Sequence, residues 1–196
     1  MNNIYWAKNE LKKLNPADKY ETMTKSAAII TKLLESFDIV PIVVGGLSVE
    51  IYTNKDYSTR DIDFVTSNIK KSQEILQELG FQKEGRILSH NKLQILIEFP
   101  DDQLAGSYDK VSRILIDKNL YINVISYEDI IMDRLRAKLH WTDIESKRWG
   151  MYILAEFFDE LDIEYMSTVG KGAETPSEVE ELKIWLKELE SGKSHA

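Results

Sequence analysis

The sequence predicts an α+β fold: a mixed β-sheet with flanking helices, followed by a helical C-terminal part. Three observations carry this. Short β-branched runs at 39–44, 60–66, 93–99 and 114–125 alternate with longer stretches of helical periodicity. Gly or Pro closes several of these runs. Beyond Ser126 the β-rich runs cease and three N-terminal capping patterns follow one another. The organisation expected is a core of residues 1–125 with N-terminal helices, then a helical region of residues 126–196.

Ile4, Leu11 and Leu14 recur at roughly helical spacing. Asn15-Pro16 reads as a cap with proline at the first helical position. A helix from Pro16 to Phe37 would carry Tyr20, Met23, Ala27, Ile30, Leu33, Leu34 and Phe37 on one face. Residues 39–44 form a buried strand that leaves into Gly45-Gly46, and residues 47–52 form a short helix. Residues 54–59 are a polar loop. Residues 60–66 alternate as a strand does. Ser67 caps a helix that reaches Leu79 and is closed by Gly80. One or two short strands surround Gly85, a better one runs over 93–99 until Pro100, and a hairpin closes around Asp117-Lys118-Asn119.

Ser126 to Asp129 is a capping pattern opening a helix to about His140. Thr142 to Glu145 opens a second, to about Leu161. Thr175 to Glu178 opens the last, to Glu190. That last helix is amphipathic through Leu182, Trp185, Leu186 and Leu189, as a dimer surface or a packed cap would be.

The 196 residues are 43% hydrophobic and 30% charged, the balance of a folded chain. A net charge of -8 opposes broad, non-specific binding to nucleic acid, while leaving room for a local basic cleft. No cysteine is present, which removes disulfides, thiolate metal sites and cysteine nucleophiles. The N-terminal residues hold no long apolar run and no segment is long enough to span a bilayer, so a cytoplasmic protein without membrane contact is expected. His90, His140 and His195 are scattered, which argues against zinc. Neither a Gly-x-Ser-x-Gly elbow nor a Walker loop occurs; Leu47 stands where a Walker loop has lysine.

The chemistry is expected around Asp61-Ile62-Asp63. Residues two apart on a strand face the same side, so the two carboxylates converge. Acid-x-acid pairs also occur at Asp143/Glu145, Asp162/Glu164, Glu178/Glu180 and Glu188/Glu190, where they read as solvated helix surface. Asp61 and Asp63 differ because Ile62, Phe64 and Val65 accompany them. If the strand carrying Glu98 is a neighbour, three carboxylates meet. Hard oxygen donors suit Mg²⁺, and two such ions can activate a hydroxyl and stabilise departing pyrophosphate. Upstream, Gly45 and Gly46 allow backbone N–H groups to approach a phosphate, and Ser48 can add a hydroxyl. Arg60 would either neutralise phosphate or pair with an acid. His140-Trp141 would stack on a base or, more simply, pack two helices. Lys8, Lys12 and Lys13 form a basic cluster with the character of solvated helix surface.

The segment from Val43 to Val65, with Glu98 later, resembles the DNA polymerase β-like nucleotidyltransferase superfamily. Its signature is an apolar strand, two small residues, acid-x-acid on a strand and a third acid on another strand. The match covers about residues 39–99. Asp133-Arg134-Leu135 and His140 to Asp143 more loosely resemble small bacterial nucleotidyltransferase-like proteins, some of which are similar to abortive-infection and toxin–antitoxin components. The resemblance implies a nucleotidyltransferase-like sheet in which Asp61, Asp63 and Glu98 hold Mg²⁺. Glu98 would also help deprotonate an acceptor, and Gly46 and Ser48 would bind the triphosphate. Among cations after the sheet, Arg134, Lys138, Lys147 and Arg148 are candidates, Lys138 being assigned with Gly45 and Arg60 to the nucleotide. The partners implied are an NTP, an RNA, protein or small-molecule acceptor, and either a second copy or a cognate toxin or antitoxin. A catalytically silent binding protein of the same fold is the alternative.

Overall fold

The computed structural model describes residues 3–193; His195 and the first two residues lie outside them. Among the described residues the chain forms eight α-helices and one seven-stranded mixed sheet. The α+β class expected from the sequence is what is found.

Two helices come first, α1 (Asn3–Leu11) and α2 (Lys19–Glu35). Asp18 caps α2 by accepting from the Glu21 N–H, so the helix starts three residues after the expected Asn15 cap. Asn15 instead closes a turn in which its side chain accepts from the Ala17 N–H. Met23, Ala27, Ile30, Leu33 and Leu34 are all buried as the periodicity requires, whereas Phe37 lies beyond the helix end and is exposed. At roughly 1.5–3 kcal/mol for each large apolar side chain buried, this stripe is a main anchor of the helix on the sheet.

The strands follow: β1 (Ile42–Val44), then helix α3 (Gly45–Tyr52), β2 (Asp61–Val65), helix α4 (Ile69–Leu79), β3 (Gln82–Glu84), β4 (Ile87–His90) and β5 (Ile95–Glu98). Helix α4 is capped by Asn68 rather than Ser67, and Gly80 closes it in the left-handed region. The hairpin β6 (Ser112–Asp117) and β7 (Leu120–Val124) completes the sheet. The order across it is β3-β4-β5-β2-β1-β7-β6. The central strand β2 runs antiparallel to β1 and parallel to β5.

Ser126 caps α5 (Tyr127–Trp141) as expected. Thr142 ends that helix in the left-handed conformation, which leaves Asp143 to cap α6 (Ile144–Glu156). Helix α6 stops short of the expected Leu161. Phe157 turns back to stack on Tyr127, ring centroids 4.0 Å apart, and a short 3-10 segment follows. A brief helix α7 (Ile163–Ser167) precedes α8 (Pro176–Lys193). Trp185 and Leu182 of α8 are fully buried against the other C-terminal helices, the packed-cap outcome for that face. Trp141 is 75% exposed and packs no helix pair. It is the last residue of α5, where the Thr142 turn redirects the chain. No helix among the described residues is long and apolar enough to cross a membrane.

Candidate functional site

The register of the central strands brings the predicted acids together. In the parallel pair, Asp63 lies opposite Glu98 and Asp61 opposite Leu96. In the antiparallel pair, Val44 lies opposite Asp63. The chain leaving β1 therefore enters Gly45-Gly46 beside the Asp63 carboxylate. Ile62 and Phe64, on the other face of β2, are fully buried. Their burial holds the two aspartates on the open face, since a one-residue slip would bury both charges.

The two glycines are required by contact. Gly45 has φ +61, and a Cβ there would stand 2.3 Å from Asp63 Oδ2. A Cβ on Gly46 would stand 2.4 Å from Thr59 Oγ1. The Gly46 N–H donates to the Asp63 carboxylate. Thr59 is itself held: its N–H donates to buried Glu50 at 3.0 Å, and Lys19 donates to its carbonyl. Its hydroxyl then donates to Asp61 Oδ1 at 2.9 Å.

Asp63 and Glu98 face a cavity of about 360 Å³, walled also by Gly45, Arg86, Arg134 and the 100–105 loop. Burial pushes the Asp63 carboxyl up to about 7, and the neighbouring charges of Asp61 and Glu98 push the same way. Arg134 and the Gly46 amide pull it down without prevailing. Arg134 also pairs with the adjacent Asp133, Nε to Oδ2 at 3.0 Å. Glu98 is met by Arg86 from the β3–β4 turn, at 3.1 Å.

The loop wall is fixed from behind by a buried knot. Asp129 Oδ2 accepts from the Ser107 N–H and the Ser126 hydroxyl, both at 3.0 Å, and its Oδ1 accepts from the Tyr165 hydroxyl at 2.7 Å.

Several predicted residues stand elsewhere or are already engaged. Ser48 is fully buried and its hydroxyl donates to the Gly45 carbonyl at 2.7 Å, inside the helix. Lys138 pairs with Glu181 of α8. Arg60 is exposed and lines a different cavity, with Lys19 and His90. Thr59, Glu50 and Arg86 belong to the site without having been anticipated. Arg86 had one legible signal, a lone cation after Gly85 in the hairpin that precedes the Glu98 strand. Thr59 and Glu50 had none, because only the fold brings them to Asp61.

Among the described residues no group of three His, Asp or Glu side chains is gathered closely enough to hold a metal ion. Each acid has its own partner instead: Thr59 on Asp61, the Gly46 amide on Asp63, Arg86 on Glu98. The donor chemistry nonetheless fits a hard divalent cation. The acids are oxygen donors on adjacent strands, and their mutual repulsion is part of what raises Asp63. No protein-family model matches the chain, and no curated protein matches it in sequence.

Proposed function

We propose that this chain is a Mg²⁺-dependent nucleotidyltransferase, moving a nucleoside monophosphate from an NTP to a hydroxyl acceptor. The observation that carries the reading is the alignment of Val44, Asp63 and Glu98 on three neighbouring strands, with Gly45-Gly46 leaving the first of them. Asp61, Asp63 and Glu98 would hold the metal. Bound Mg²⁺ would supply neutralising charge to the triphosphate and the departing pyrophosphate.

The chain's own groups account for the rest. Glu98 or Asp63 takes the acceptor proton. The acceptor oxygen bonds to the α-phosphorus, the α–β phosphoanhydride bond breaks, and pyrophosphate leaves. Arg134 lines the same cavity and would offer the phosphates a cation. Arg86 exchanges Glu98 for phosphate when substrate enters, which its exposed position allows at little cost.

The same Arg86–Glu98 pair favours a second reading, a catalytically silent member of the fold that binds a partner such as a cognate toxin or antitoxin. The discriminating experiment is calorimetric titration of each NTP with and without Mg²⁺, on wild type and on Asp61→Asn/Asp63→Asn. Metal-dependent binding that the double variant loses supports the transferase. A well-folded wild type that binds no NTP overturns it in favour of the silent reading.

A further inference from the structure

Two adjoining cavities, of about 560 and 760 Å³, share His90, Asn91 and Leu93 in their walls and form one groove. The groove starts at Arg60, the residue next to Asp61, and at Lys19, which donates to Thr59. It continues past Lys92 to Lys8 and Lys12 on α1. Five cations line it and no carboxylate does, in a chain with 33 acids and a net charge of -8. Among the described residues, Lys8, Lys12, Arg60 and Lys92 have no carboxylate partner, whereas Lys13 beside them pairs with Glu10.

We infer that this groove binds the phosphate backbone of single-stranded RNA. The inference deepens the transferase reading by naming its acceptor, and it rests on that reading only for the role of the bound RNA. An acidic surface repels a polyanion everywhere except where carboxylates are excluded. A line of separated cations matches repeating phosphates, where a single anion would need one focused cluster. Arg60 in the first cavity is the chain neighbour of Asp61, whereas Asp63 and Glu98 line a separate cavity.

The test is fluorescence anisotropy of a short labelled oligoribonucleotide across a range of salt, without NTP or Mg²⁺. The variants are Lys8→Glu/Lys12→Glu/Lys92→Glu and, separately, Asp61→Asn/Asp63→Asn. Wild type is expected to bind, and the aspartate variant, which loses two negative charges, to bind no more weakly. The lysine variant should bind at least about tenfold more weakly, and its salt slope should fall by about 2, the change for three lost single-strand phosphate contacts. Because no nucleotide or metal is present, this result stands or falls separately from NTP binding. No binding by wild type, equal binding by the lysine variant, or equal affinity for poly-glutamate would each overturn the assignment.

Discussion

The Thr59 hydroxyl donates to Asp61 at 2.9 Å, and it reaches that carboxylate only because residue 46 has no side chain. Three elements meet in this contact: the first turn of α3, the loop before β2 and β2 itself.

Thr59→Val keeps the shape and removes the donor. Asp61 is then free to leave its orientation. We expect Mg²⁺-dependent NTP binding to weaken about tenfold, roughly 1.4 kcal/mol, while Thr59→Ser retains it. Calorimetric titration of the three proteins measures this. Unchanged affinity in the valine variant would show that Asp61 is oriented by something else.

Gly45→Ala places a methyl group against Asp63 and asks for a left-handed backbone at a residue that disfavours it. Together these should cost about 1–3 kcal/mol of stability, read from urea unfolding. The clash is with the carboxylate, so Gly45→Ala/Asp63→Ala should lose less than the sum of the two single changes. Additive losses would mean that the backbone conformation alone is responsible.

The Asp63 carboxyl sits at about 7 in the fold against a usual 3.8. A group raised in this way favours its protonated form when folded. Its contribution is therefore fully present below about pH 4 and is lost as pH rises through 7. Asp63→Asn should leave thermal stability near that of wild type at pH 4 and exceed it at pH 8. A constant difference between the two proteins across that range would show that Asp63 titrates normally.

Much of this site is legible in the chain itself. Asp61 and Asp63 stand out from the other acid pairs because Ile62 and Phe64 between and after them must face a core, and both are fully buried. Glu98 follows the same logic beside Ile97. Caps are legible to within a few residues: Ser126 is found as expected, while Asp18 and Asn68 prevail over nearby Asn15 and Ser67, residues with equally competent side chains. What sequence pattern does not carry is pairing over distance. Lys138 finds Glu181, and Tyr127 draws Phe157 out of its helix, through contacts that exist only once the helices have docked. The buried serine hydroxyl has a local cause that periodicity does not reveal. A residue three positions into a helix can satisfy itself on the preceding turn, as Ser48 does on Gly45.

The parallel pairing of β2 with β5 has a bearing on biogenesis. Asp63 and Glu98 are neighbours in the sheet, yet α4 and the β3–β4 hairpin lie between them in the chain. Parallel pairing needs such a crossover, and closing it is slow compared with forming a helix or hairpin. The central β1 also waits for β7 on its other side. A nascent chain that has emerged only as far as its double-aspartate strand thus has neither the third carboxylate nor a completed sheet to hold the first two. The three acids can therefore meet only after β5 has emerged, and the sheet that backs them closes only after β7.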